Sequence, residues 1–95
     1  MRRTIEIFLT KGESSARMIS DIVMLLKLLP LDKRPLVRIR VFDINSLGES
    51  PVLRRMLESN KVRYFPTIIS DGVKLIEGYY PSLDELERII LRESR

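Results

Sequence analysis

The 95-residue chain is 44% apolar and carries 17 Lys and Arg against 13 Asp and Glu, a net charge of +4. That is enough for one globular domain with a modest core, too little for two, and unlike a disordered chain in composition. With no cysteine and no histidine, disulfide exchange, thiol catalysis and thiolate metal sites are excluded, as is the commonest general base. The positive excess admits an acidic partner but is too diffuse to mark a nucleic-acid binder. No long apolar run follows Met1-Arg2-Arg3, which argues against a secretory signal. The longest apolar cluster, residues 22–31, is broken by Lys27 and Pro30 and falls short of the roughly 20 residues of a bilayer span. A soluble, cytoplasmic protein is expected. Gln and Trp are absent and Asn occurs only at 45 and 60, which with the many Arg and Glu leans towards a thermophilic source.

Residues 4–10, TIEIFLT, set Ile5, Ile7 and Leu9 on one side and Glu6 and Phe8 on the other. Apolar residues on both faces mark an interior strand. After the loop Lys11-Gly12-Glu13, Ser14 or Ser15 can cap a helix by accepting from its free N–H groups. Ile19, Ile22, Val23, Leu26 and Leu29 recur at helical spacing, with Met18 and Leu25 widening the stripe, and Pro30 ends it. Met24 and Leu28 fall outside the stripe beside Arg17, Ser20 and Lys27. They are either tolerated exposed side chains or half of a partner surface.

Residues 36–45, LVRIRVFDIN, are predicted as a second strand. Val37, Ile39 and Val41 face one way, and Arg38 and Arg40 the other. Two arginines on one face suit an edge strand, where charge discourages unwanted pairing, better than they suit a phosphate site. Ser50 and Pro51 then open a short helix with Val52, Leu53, Met56 and Leu57 inward and Asn60 as its stop. In VRYFPTIISDGVKLIEGYYP, residues 62–81, the β-branched Ile68-Ile69 precede Asp71-Gly72, a type I′ turn signal, and Val73 to Ile76 return. Ser82-Leu83-Asp84-Glu85 is a capping box, with Leu83, Leu86, Ile89 and Ile90 inward and Arg88, Arg92 and Arg95 towards the helix end. The order is β-α-β-α-β-β-α. The first three elements make a right-handed parallel crossover, and one mixed four-stranded sheet with helices on both faces accommodates the whole.

Tyr64-Phe65-Pro66-Thr67, followed by a strand, a D-G turn, a strand and a glycine before the last helix, resembles the C-terminal half of a thioredoxin-like domain. The resemblance spans essentially the whole chain. It implies an α/β sandwich with sheet order 2-1-3-4, a cis bond before Pro66, and a proline loop facing the start of the first helix. In that family the redox motif stands there; here the matching residues are near Glu13, Ser14, Ser15 and Ala16. The backbone around such a proline pairs with an extended client segment in the family. The run from Phe8 to Arg17 also resembles the corresponding strand, glycine-containing loop and helix start of the circadian clock protein KaiB, a thioredoxin-like family that works by binding other proteins.

The resemblance therefore implies a single cysteine-free thioredoxin-like domain that binds a partner protein or peptide. The expected surface is the rim of Lys11, Gly12, Glu13, Ser14, Ser15, Tyr64, Phe65, Pro66 and Thr67. No catalytic residue, cofactor or metal-ligand set is expected. A homodimer stays open, and a membrane or nucleic-acid partner is disfavoured. The alternative is a glutathione-type binder or enzyme using Ser14 or Ser15, since some glutathione transferases resemble this fold and hold a thiolate with a serine after the first strand.

Overall fold

In the computed structural model, which describes residues 2–47 and 50–91, nine elements follow one another. They are β1 (Arg3–Leu9), α1 (Glu13–Leu28), a 3-10 turn (Arg34–Leu36), β2 (Val37–Asp43), α2 (Ile44–Leu47), α3 (Pro51–Ser59), β3 (Thr67–Ser70), β4 (Val73–Glu77) and α4 (Leu83–Ile90). β1 pairs in parallel with β2 and antiparallel with β3, and β3 pairs antiparallel with β4. The result is a mixed sheet in the order β2-β1-β3-β4, as expected. No helix among the described residues is long and apolar enough to cross a membrane.

Strand alternation sends β1 into two apolar layers. Ile5, Ile7 and Leu9, with Ile68 and Ile76, meet Met18, Ile22 and Leu25 of α1 and Leu86 and Ile90 of α4. Phe8 and Ile69 point the other way, onto Leu53 of α3 and Val62. The Phe8 and Phe42 rings stack there at 5.0 Å and 16°. β2 is an edge strand, and Arg38 and Arg40 are exposed on it, as its pattern predicts. The Arg40 guanidinium lies 5.2 Å from the Phe42 ring centre and 3.9 Å from the Glu6 carboxylate.

Asp71 and Gly72 both have positive φ, 47° and 84°, which is the type I′ geometry. Asp71 also fastens the turn to β1, donating its N–H to the Thr4 carbonyl and accepting the Thr4 N–H on Oδ1. The bond between Phe65 and Pro66 is cis. Ser50 accepts the Leu53 N–H, and Asn60 caps the C-terminus of α3, as anticipated. The capping box is complete: Ser82 accepts the Glu85 N–H, and Glu85 accepts the Ser82 N–H. Ser82→Ala is accordingly expected to cost about 0.5–2 kcal/mol in urea unfolding, with Ser82→Asp restoring most of the loss.

Several expectations need correction. α1 begins at Glu13 with Gly12 at the N-cap and no side-chain cap, so Ser14 and Ser15 lie inside the first turn and neither caps it. The buried stripe of α1 is Ser15, Met18, Ile22 and Leu25, continued by Leu29, while Val23 is 46% exposed. Sequence periodicity set the stripe's centre too far round, because α1 is apolar on more than its core side. β2 stops at Asp43, whose Oδ1 accepts the Asn45 N–H and turns the chain into α2. Val52 and Leu83, placed inward by sequence, are exposed at 63% and 43%, each in the first turn of its helix. Arg92 and Arg95 lie outside the described residues.

Candidate functional site

The strand directions gather one end of the sheet. β1, β2 and β4 finish there and β3 begins there, with Thr67 opposite both Phe8 and Glu77. The loop after β1, the run through Pro66 and the link from Gly78 to Ser82 therefore share that end. Hydrogen bonds hold them together. Gly78 donates its N–H to the Pro66 carbonyl at 2.8 Å, and the Thr67 hydroxyl donates to the Tyr64 carbonyl at 2.6 Å. Gly78 has φ +82°, and a Cβ built on it would stand 3.2 Å from Cβ of Tyr64. Tyr64 thus lies across a position where only glycine gives room.

Ser15 makes the third fastening. Its hydroxyl donates to the Thr10 carbonyl at 2.5 Å and stands 2.7 Å from the Tyr80 hydroxyl. With its one proton committed to Thr10, Ser15 accepts from Tyr80. The bond ties the β4–α4 link to the start of α1.

The nine residues predicted for the rim consequently divide. Lys11, Gly12, Glu13, Ser14 and Tyr64 are exposed, and Phe65 is half-buried against the α3 layer. Ser15, Pro66 and Thr67 are buried, so they shape the rim without presenting side chains on it. Pairing with β1 on one side and β4 on the other encloses Thr67.

Sequence reasoning passed over Tyr79 and Tyr80 as a lead-in to the last helix. Their exposures are 48% and 41%, beside Tyr64 at 61%, so all three tyrosines of the chain stand at this end. Two adjacent aromatic residues in a loop were the available signal, because an aromatic residue outside a core is a contact candidate. Tyr79 donates to Glu85 Oε2 at 3.0 Å, and that hydrogen bond to a carboxylate raises its phenol above the ordinary value. Next to Tyr80 runs a shallow groove of about 310 Å³, with Ser14, Arg17, Met18 and Asp21 of α1 on one wall and Tyr80 and Leu83 on the other. Met24 and Leu28, exposed at 45% and 64%, lie farther along α1.

No known family model matches the chain, and no curated protein matches it. Among solved structures it is similar to one described as "Structure of a malarial protein", with a TM-score of 0.66. The two are 17% identical, and the alignment covers 97% of each chain. That likeness is one of fold.

Proposed function

We propose that the chain is a cysteine-free, thioredoxin-like domain that binds a partner protein or peptide at the rim around Pro66, without redox chemistry. The observation that carries this reading is the set of exposed tyrosines held by loops fastened to one another. Tyrosine offers a large contact area with only two rotatable side-chain bonds, so little conformational entropy is lost on binding. Immobilising the loops beforehand, through Ser15–Tyr80 and Gly78–Pro66, lowers the ordering cost further. Leu83, which is exposed, supplies apolar surface in the adjoining groove, and Arg17 a guanidinium fork for a polar anchor.

The small-molecule alternative draws less support. The Ser15 hydroxyl is buried and committed to two partners, which leaves Ser14 as the one open serine of the pair.

The test is capture of partners from lysate of the source cell by tagged protein, compared across variants. Proteins retained by the wild type are expected to be lost with Tyr64→Ala/Tyr79→Ala and kept with Lys27→Ala, on the outer surface of α1. A loss of about thirtyfold corresponds to truncating one hot-spot aromatic of about 2 kcal/mol. Equal capture by all three proteins would remove the rim from the binding surface.

A further inference from the structure

The described cations are not spread evenly over the molecule. Register sets Arg38 and Arg40 of β2 on the same side of the sheet as Phe8, which is the side α3 covers. Arg54 and Arg55 of α3 and Lys61 and Arg63 of the following connection are exposed on that same layer, as are both β2 arginines. Among the described residues, Glu6 and Glu58 are the carboxylates set among these six cations. Lys74 and Glu77 also face this side, but they pair with each other at 3.0 Å and cancel. Among the described residues, six cations less two carboxylates leave +4 on this face.

We infer that the face formed by β2, α3 and the connection to β3 is a second docking surface, whose occupant is an acidic protein surface. It adjoins the tyrosine rim, since Arg63 directly precedes Tyr64 in the connection to β3, but its cations are not residues of that rim. Five of the six cations are arginines, whose planar forks each hold a carboxylate through two parallel N–H···O bonds and lose less entropy per bond than lysine ammonium groups. Single-stranded nucleic acid fits less well, because base stacking needs open aromatic faces. Phe8 is fully buried here, and the half-buried Phe42 already has Phe8 against its ring and the Arg40 guanidinium 5.2 Å from its centre. A cationic face of this kind speeds encounter and rejects basic partners, with an effect that salt screens.

The test uses poly-L-glutamate as the acidic probe, with a single-stranded oligonucleotide of equal charge, both followed by fluorescence anisotropy. Saturable poly-L-glutamate binding is expected to weaken about tenfold or more in Arg38→Glu/Arg54→Glu/Arg55→Glu. It should fade between low and physiological salt, and should fall by less than about threefold in Lys27→Glu/Lys33→Glu/Arg88→Glu, which has the same net charge. Circular dichroism checks that both variants fold; should the first not, Arg38→Glu and Arg55→Glu are measured singly and each is expected to weaken binding. Equal losses in the two triple variants, or no saturable binding to the wild type, would overturn the proposal. Tighter binding of the oligonucleotide than of poly-L-glutamate at the same salt would overturn its choice of occupant.

Discussion

Phe8→Ala is expected to lower the free energy of unfolding by about 3–5 kcal/mol, the range for truncating a fully buried phenylalanine. The side chain has no exposed surface and is the aromatic centre of the layer between the sheet and α3. Its removal deletes the stack on Phe42 and leaves a cavity walled by Leu53, Val62 and Ile69. β1 is hydrogen-bonded on both sides, so its backbone cannot move to close that cavity. A domain of this size has a stability of about 5–15 kcal/mol, so the variant is expected to be close to unfolding at 37 °C. Urea titration followed by circular dichroism measures the loss, and an unchanged m-value certifies that it is a loss of stability. Phe8→Leu fills part of the space and should cost about 1–3 kcal/mol less than alanine. An alanine variant losing under about 1.5 kcal/mol would mean that this layer is closed by something other than Phe8. The same layer holds Val62 and Phe65, so capture by the rim is expected to fall along with stability.

Features built from neighbouring residues were legible in the sequence. TIEIFLT announces an interior strand because its two-residue alternation carries apolar groups on both faces, and the structure buries Ile5, Ile7, Phe8 and Leu9. Asp71-Gly72 and the Ser82–Glu85 box are local chemistry, and each stands where the sequence put it. What failed was phase. Met18, Ile19, Ile22, Val23, Leu25 and Leu26 leave α1 with more apolar surface than one neighbour can cover. Contact with Leu86 and Ile90 of α4 decides which residues are buried, and a single-helix pattern does not contain it. The start of α1 was missed for a related reason. Gly12 opens the helix with its carbonyl alone, accepting the Ala16 N–H, and carries no side chain to signal a cap.

Tertiary gathering explains the rest. Tyr64 and Tyr80 are separated by the whole β3–β4 hairpin, and only the return of β4 towards its starting end brings them to one rim. The cationic face is assembled from three separate segments, and along the sequence each looks like an ordinary solvated stretch. Its charge imbalance appears once the β1–β2 register places Arg38 and Arg40 on the side of α3.

The two serines at the start of α1 should behave oppositely, although the sequence gives them the same candidate role. Ser15→Ala is expected to cost about 1–3 kcal/mol, since a buried hydroxyl that serves two partners leaves both without it. The Thr10 carbonyl is half-buried and bears most of that loss; Tyr80, 41% exposed, can turn its hydroxyl to water, which holds the cost towards the lower end. Ser14 is exposed and does not cap the helix, so Ser14→Ala should fall within about 0.5 kcal/mol of the wild type. Urea unfolding of the two variants side by side gives the comparison. Releasing Tyr80 also unfastens the β4–α4 link from α1, so Ser15→Ala should weaken rim capture, whereas Ser14→Ala should leave it unchanged. Millimolar glutathione is expected to leave the melting temperature of all three proteins where it was, because a ligand stabilises only the state it binds. A saturable rise with the wild type that Ser14→Ala abolishes would move the site from protein recognition to the binding of a small thiol. A Ser14→Ala cost exceeding that of Ser15→Ala would show that the first serine, not the second, secures the start of α1.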